Sequence, residues 1–204
     1  MSGLPRSLSD QDIETFRDRL CDAAEVQFAE HGLDAVTMRQ LATDLGVSPM
    51  TPYRYFKDKD AILAAVRARA FNHHAEALEA AYDQAASADQ FALSTAVGEA
   101  YVRFAFEHPA AYKLMFDTNQ ATADDYPELV AAGRRSLATM TRHLEPLIAS
   151  GALKGDPALV GHIYWSAIHG PIMLQFSGVL HGFTAQQLIG ELVGVLNRHF
   201  FARA

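Results

Sequence analysis

The sequence predicts an all-α protein, a three-helix helix-turn-helix unit followed by a helical bundle, with about nine helices in total. Apolar residues recur at spacings of three and four along almost the whole chain, and strand-type alternation is absent. Glycine and proline fall between these periodic runs, at Gly32, Gly46, Pro109, Gly151, Gly155 and Gly182, where they end helices. The 204 residues are 50% hydrophobic and 20% charged, a globular composition able to bury a core without cross-links. Cys21 is the single cysteine, so no internal disulfide is available.

The first helix is expected from about Asp10 to His31, with Ile13, Phe16, Leu20, Ala24 and Phe28 on one stripe and Gly32 closing it. Two short helices follow, 38–45 and 49–56. Thr37 and Ser48 are placed to cap their orphan amides, and Pro49 stands at N1, where a missing N–H costs nothing. A longer helix over 58–85 carries Ile62, Leu63, Val66 and Ala70 and joins an amino-terminal domain, 1–57, to a second domain, 58–204. The second domain then reads as helices 89–107, 109–117, 126–149, 157–179 and 184–202, with a polar loop at 118–125.

The net charge of −7, from 17 basic and 24 acidic residues, argues against a protein that coats nucleic acid. The average conceals a local reversal. Between Thr37 and Lys59 stand Arg39, Arg54, Lys57 and Lys59 against Asp44 and Asp58 alone, and phosphate binding needs a local patch more than a basic total. The first dozen residues hold no apolar signal run, so a reducing cytoplasm is the expected location. From Pro157 to Gly190 there is no Asp, Glu, Lys or Arg. Histidines, glycines and Pro171 interrupt that stretch too often for a membrane span, and the expectation is a helix pair buried against its own core and a second subunit.

The segment TMRQLATDLGVSPMTPYRYF is the strongest signal. Leu41, Leu45 and Val47 point into a small core, Ala42 is small where a second helix must come close, and Gly46 supplies the positive φ of a tight turn. The second short helix then projects Met50, Thr51, Tyr53, Arg54 and Tyr55, a face too polar and basic for core and suited to a major groove. Residues 12–63, with AAEVQFAEHGLDAVTMRQLATDLGVSPMTPYRYFKDKDAIL at their heart, resemble the DNA-binding domain of TetR-family transcriptional regulators. That resemblance implies phosphate contacts from Thr37 and Arg39, backbone clamping by Tyr53, Tyr55 and Lys59, and base edges or groove walls for Pro49, Met50, Thr51 and Arg54. Pro52 departs from the pattern, since the family commonly has an aliphatic residue there. Its absent N–H forfeits an early helical bond, so the recognition helix is expected to be tightened or kinked.

In the second domain, helix 89–107 aligns Leu93, Val97, Tyr101 and Phe104 with His108 beyond, and AAYKLMF adds Tyr112, Met115 and Phe116. Helix 157–179 lines up His162, Trp165, His169, Ile172 and Phe176, with Met173 beside them. HPAAYKLMF followed by YWSAIHG is similar to the TetR carboxy-terminal class named for a Trp-His-Gly motif, here Trp165, His169 and Gly170. The resemblance implies a dimerising domain that binds a small molecule. Tyr101, Phe104, His108, Tyr112, Met115, Phe116, Trp165, His169 and Met173 are the candidate ligand residues, although such stripes serve equally as core. No cofactor is expected, and no metal, because His108, His162 and His169 lack a Cys or carboxylate at ligand spacing.

The expected function is therefore a homodimeric regulator, a repressor released from palindromic double-stranded operator DNA by a small apolar or aromatic effector. The dimer would form through helices 157–179 and 184–202, the latter striped by Leu188, Leu192, Val195 and His199. Two alternatives stand beside it, a DNA-binding regulator without ligand response and a helical enzyme using His108 or His169 as base. No nucleophile elbow, phosphate-binding glycine loop or HExxH motif supports the enzyme.

Overall fold

The computed structural model describes residues 9–86, 89–117 and 125–201, and every regular element among them is helical. The helices are α1 (Asp10–His31), α2 (Met38–Asp44), α3 (Lys59–Gln84), α4 (Gln90–Glu107), α5 (Pro109–Met115), α6 (Pro127–Thr141), α7 (Glu145–Ala149), α8 (Pro157–Phe176) and α9 (Ala185–Phe200). Local chemistry sets most of their ends. Ser9 and Asp12 form a reciprocal capping box at α1, Thr37 and Gln40 another at α2, and Thr184 and Gln187 a third at α9. Gly32 closes α1 at φ 79°, its N–H donating to the Phe28 carbonyl. The Asp58 carboxylate accepts the Ala61 N–H at 2.8 Å at the head of α3.

Contacts divide the chain into two compact units, 1–71 with 110–133, and 72–109 with 134–204. The division falls inside α3, the helix expected from sequence to join the two domains. The reason lies in α5: Leu114 enters the first core, and Arg67 of α3 donates to the Leu114 and Met115 carbonyls, both at 3.0 Å, satisfying the end of that helix. The first unit is centred on Leu20, Ala24, Phe28, Val36, Leu41, Ile62 and Val66, all at most 3% exposed. A satellite cluster joins Ala64 and Ala68 to Leu129 and Ala132. In the second unit Leu144, Leu147, Leu153 and Val160 pack together with Tyr164 and Phe200. Gly161 of α8 lies so close to Thr141 that an added Cβ would stand 2.6 Å from the Thr141 Cγ2.

Three elements differ from the sequence expectation. The helix expected over 49–56 is a single 3₁₀ turn at Pro52–Arg54, because Pro52, four residues short of its end, lacks the amide that would bond the Ser48 carbonyl in an α-helix. The stretch 126–149 is two helices, α6 and α7, broken before Pro146, whose ring and missing N–H forbid the bond to the Arg142 carbonyl. The helix expected to 179 ends at Phe176, with Gly178 at φ 69°, yet runs unbroken through Pro171. The polar loop expected at 118–125 lies outside the described residues except for Asp125. Among the described residues no helix is long and apolar enough to cross a membrane.

Candidate nucleic-acid interface and cavity

The first candidate site is built on the turn between α2 and the 3₁₀ segment. Gly46 takes φ 66°, and Val47 donates back to the Ala42 carbonyl at 2.9 Å, which reverses the chain within three residues. The Ser48 carbonyl accepts the Thr51 N–H at 2.8 Å, and its hydroxyl makes only a long contact of 3.4 Å to the Met50 N–H. Pro52 is buried and turns the segment so that Met50 and Tyr53 stand out, 67% and 49% exposed. Pro49, Arg39 and Arg54 are likewise exposed, and Thr51 is half-buried.

Long-range bonds hold this surface in place. Arg17 of α1 donates to the Tyr55 carbonyl at 2.8 Å and lies 4.2 Å above the Phe56 ring, while Phe16 stacks on Tyr55 at 4.4 Å. Thr37 spends its hydroxyl on the α2 capping box, and Lys59 donates to the Leu33 carbonyl at 2.7 Å. Of the nine residues expected to meet DNA, Arg39, Pro49, Met50, Tyr53 and Arg54 present open surface. Thr37 is exposed but engaged in its cap, and Thr51, Tyr55 and Lys59 are partly enclosed.

The second candidate site is a cavity of about 820 Å³ within the second unit, between α4, α8 and α9 and floored by the α6–α7 corner. Phe91, Phe106, Tyr164 and Phe201 give it aromatic walls, and Gly190 and Gly194 leave the α9 backbone close to the space. Trp165 donates its indole N–H to the Tyr101 hydroxyl at 2.9 Å, and the Tyr164 hydroxyl donates to Asn197 at 2.7 Å. Two polar atoms on its lining residues, the Ser94 Oγ and His143 Nδ1, are sealed from solvent and have no hydrogen-bond partner. Burial lowers the His143 pKa to about 4; the Thr139 carbonyl one turn back pulls the other way, without hydrogen-bond geometry to Nδ1, and Arg142 lowers it further. Its imidazole is thus neutral at neutral pH.

Of the nine expected ligand residues, Tyr101 and Trp165 line this cavity. Phe104 is buried beside it against His74 and His108, with ring centroids 5.1 Å away in both cases. His108 is exposed, and His169 and Met173 are half-buried on α8 without lining the space. Tyr112 and Met115 are fully buried in the first unit, where Tyr112 packs edge-on to Phe116 at 5.1 Å, so these three residues serve that core rather than the cavity. Their periodicity identified an apolar face correctly, but the face belongs to another unit.

Sequence reasoning missed Ser94, His143 and the inner face of α9. For α9 a signal existed, because Gln186, Ile189, Gly190, Val193, Gly194 and Asn197 recur at three and four beside the outer stripe that was read. Nothing in the sequence marks Ser94 or His143.

Residues 20–66 match the family model described as bacterial regulatory proteins, tetR family, and residues 94–196 match a tetracyclin repressor-like, C-terminal domain. The chain is 30% identical to the HTH-type transcriptional regulator BetI of Brucella suis over 154 residues, 72% of this chain and 77% of that protein. It is 26% identical to an HTH-type transcriptional regulator of Mycobacterium tuberculosis over 178 residues, 87% of this chain and 78% of that protein. A Rhodococcus protein of unknown function has a solved structure that superimposes with a TM-score of 0.80 at 26% identity, covering 98% of this chain and 100% of the other.

Proposed function

Because the chain belongs to the TetR family of DNA-binding transcriptional regulators, which are not enzymes, we propose that it works as a homodimeric repressor whose hold on operator DNA is released by a small, mainly apolar effector. The observation that carries this reading is the aromatic cavity of about 820 Å³, a volume typical of sites for drug-sized molecules. At the DNA surface, Arg54 is the one side chain of the exposed turn able to pair bidentately with a guanine edge. Tyr53 and Arg39 offer a hydroxyl and a guanidinium to phosphates on either side.

Dimerisation is supported by α8 and α9. Leu192 and Val195, on the outer stripe of α9, are 43% and 52% exposed, and Leu174 of α8 is 44% exposed, within a run free of Asp, Glu, Lys and Arg from Pro157 to Gly190. A twofold pairing through these helices forms a four-helix contact and presents two recognition turns about 34 Å apart, one helical repeat of DNA. Helix α9 then has a cavity face and a dimer face. An effector that wedges against Ile189 and Val193 shifts the stripe carrying Leu192 and Val195, and with it the half-site spacing. The shift is limited by the effector's differential affinity for the two arrangements.

The reading is tested by gel shift on the DNA upstream of the protein's own gene, across a salt series, with wild type and Tyr53→Ala in parallel. A dimer-sized complex that weakens steeply with salt and is lost in the variant supports it. Failure to select any duplex from a random-sequence pool overturns it.

A further inference from the structure

Resting on the reading of the cavity as the effector site, we propose that its occupant is an uncharged, mainly apolar molecule carrying one hydroxyl or carbonyl group, which hydrogen-bonds the side chains of Ser94 and His143. Three features of the lining point there. The ionised side chains around the cavity are Glu99, Arg103 and Glu107, spaced four apart along α4 and all exposed, so the charge lies at the rim and none is enclosed. A charged occupant would leave water without meeting a buried counter-charge, which the apolar walls penalise heavily.

The aromatic polar groups of the lining already have partners. The Trp165 N–H is bonded to Tyr101 and the Tyr164 hydroxyl to Asn197, while the Thr95 hydroxyl donates to the Phe91 carbonyl of its own helix at 3.0 Å. Apart from the exposed Gln186 and the Asn197 amide beside Tyr164, what remains is the Ser94 hydroxyl and His143, the latter 8% exposed, each with a sealed atom that has no partner. A folded chain rarely leaves such atoms unmatched. Rotation about Cα–Cβ carries the serine Oγ, and a flip about Cβ–Cγ carries the imidazole Nδ1, from these sealed positions toward the cavity that both residues line, so both can be offered to an occupant. Serine donates or accepts, and a neutral imidazole does one at each nitrogen, a pairing suited to an alcohol or a ketone.

Trp165 lines the cavity and is the only tryptophan, so its emission reports occupancy without DNA. The probes are a matched ten-carbon series: decane, 1-decanol, 2-decanone, decanoate and decyltrimethylammonium. Titration of the full-length protein is expected to show the alcohol and ketone binding roughly ten-fold more tightly than the alkane, the worth of one net hydrogen bond of about 1.4 kcal/mol. Both charged probes should bind more weakly than the alcohol. Ser94→Ala and His143→Phe, each verified as folded by far-ultraviolet circular dichroism, should bring the alcohol down to the affinity of the alkane.

Equal affinities across the series, a preference for either charged probe, or an alcohol preference that survives in both variants overturns this inference and leaves the effector reading standing. If no probe alters the Trp165 emission or releases DNA, the cavity is not an effector site and both readings fall together.

Discussion

Two buried histidines give the protein an acid sensitivity that can be calculated. His74, 1% exposed, donates or accepts through Nδ1 to the Ser136 hydroxyl at 2.9 Å, lies edge-on to Tyr101 and Phe104, and has no partner at Nε2. Burial lowers its pKa from 6.5 to about 4, and His143 is lowered to about 4 as well, chiefly by burial. As pH falls below 6.5 the unfolded chain takes a proton at each ring while the folded chain refuses it until near 4, so stability is complete above 6.5 and drains away across that window. Integrating that difference gives about 2 kcal/mol lost per histidine at about pH 5, hence about 4 kcal/mol for the two. For a chain of this length that corresponds to a fall in Tm of on the order of 10 °C.

Half-buried His169 is lowered in the same sense by burial, while the carboxyls of Glu79, held down by Arg135, and Asp12, held down by Ser9, are both lowered from their ordinary values. Urea unfolding followed by circular dichroism at constant ionic strength, between about pH 7 and about pH 5, measures the effect. His74→Asn, which keeps a polar atom facing Ser136 but cannot take up the proton, should remove about half of the slope. A midpoint that does not move with pH, or a full slope retained in His74→Asn, would refute the assignment of these rings as buried and neutral.

Three further outcomes follow from particular contacts. Arg17→Ala removes a charged hydrogen bond to the Tyr55 carbonyl and the contact with the Phe56 ring; a loss of about 2 kcal/mol in unfolding free energy is expected, with weaker DNA binding by gel shift. Gly161→Ala drives a methyl to 2.6 Å from Thr141 and should lower stability by about 1 kcal/mol after its helix-propensity gain, whereas Gly133→Ala in α6 meets nothing within 4 Å and should raise it by about 0.5–1 kcal/mol. Opposite signs in thermal melts test this pair. Leu192→Glu with Val195→Glu places charge on the exposed stripe of α9; sedimentation should show a monomer and gel shift a loss of operator binding, with the Trp165 response to 1-decanol retained.

Much of the fold was legible because its signals are local. Thr37 and Gln40 cap α2 from three residues apart, Gly32 and Gly46 take the positive φ their turns require, and the stripe of Leu20, Ala24 and Phe28 repeats every fourth residue. The basic and aromatic run from Met50 to Tyr55 could be read as a surface because its polarity excludes it from a core, and Pro52 carried its own warning of a tightened turn.

Periodicity, however, reports only that a face is apolar and says nothing of what covers it. Tyr112 and Met115 looked like cavity residues until the fold set them in the first unit. The bond of His74 to Ser136 joins positions 62 apart, and the unpartnered polar atoms of the cavity lining come from Ser94 on α4 and His143 in the turn between α6 and α7, segments whose meeting no local pattern encodes. Sequence by itself determined most helix ends, the turn chemistry and the exposed basic and aromatic surface, all fixed within a few residues. Tertiary structure alone decided which apolar faces close on each other, which polar atoms are left without partners, and so what kind of molecule the cavity can hold. Those depend on desolvation, which exists only once distant segments have packed.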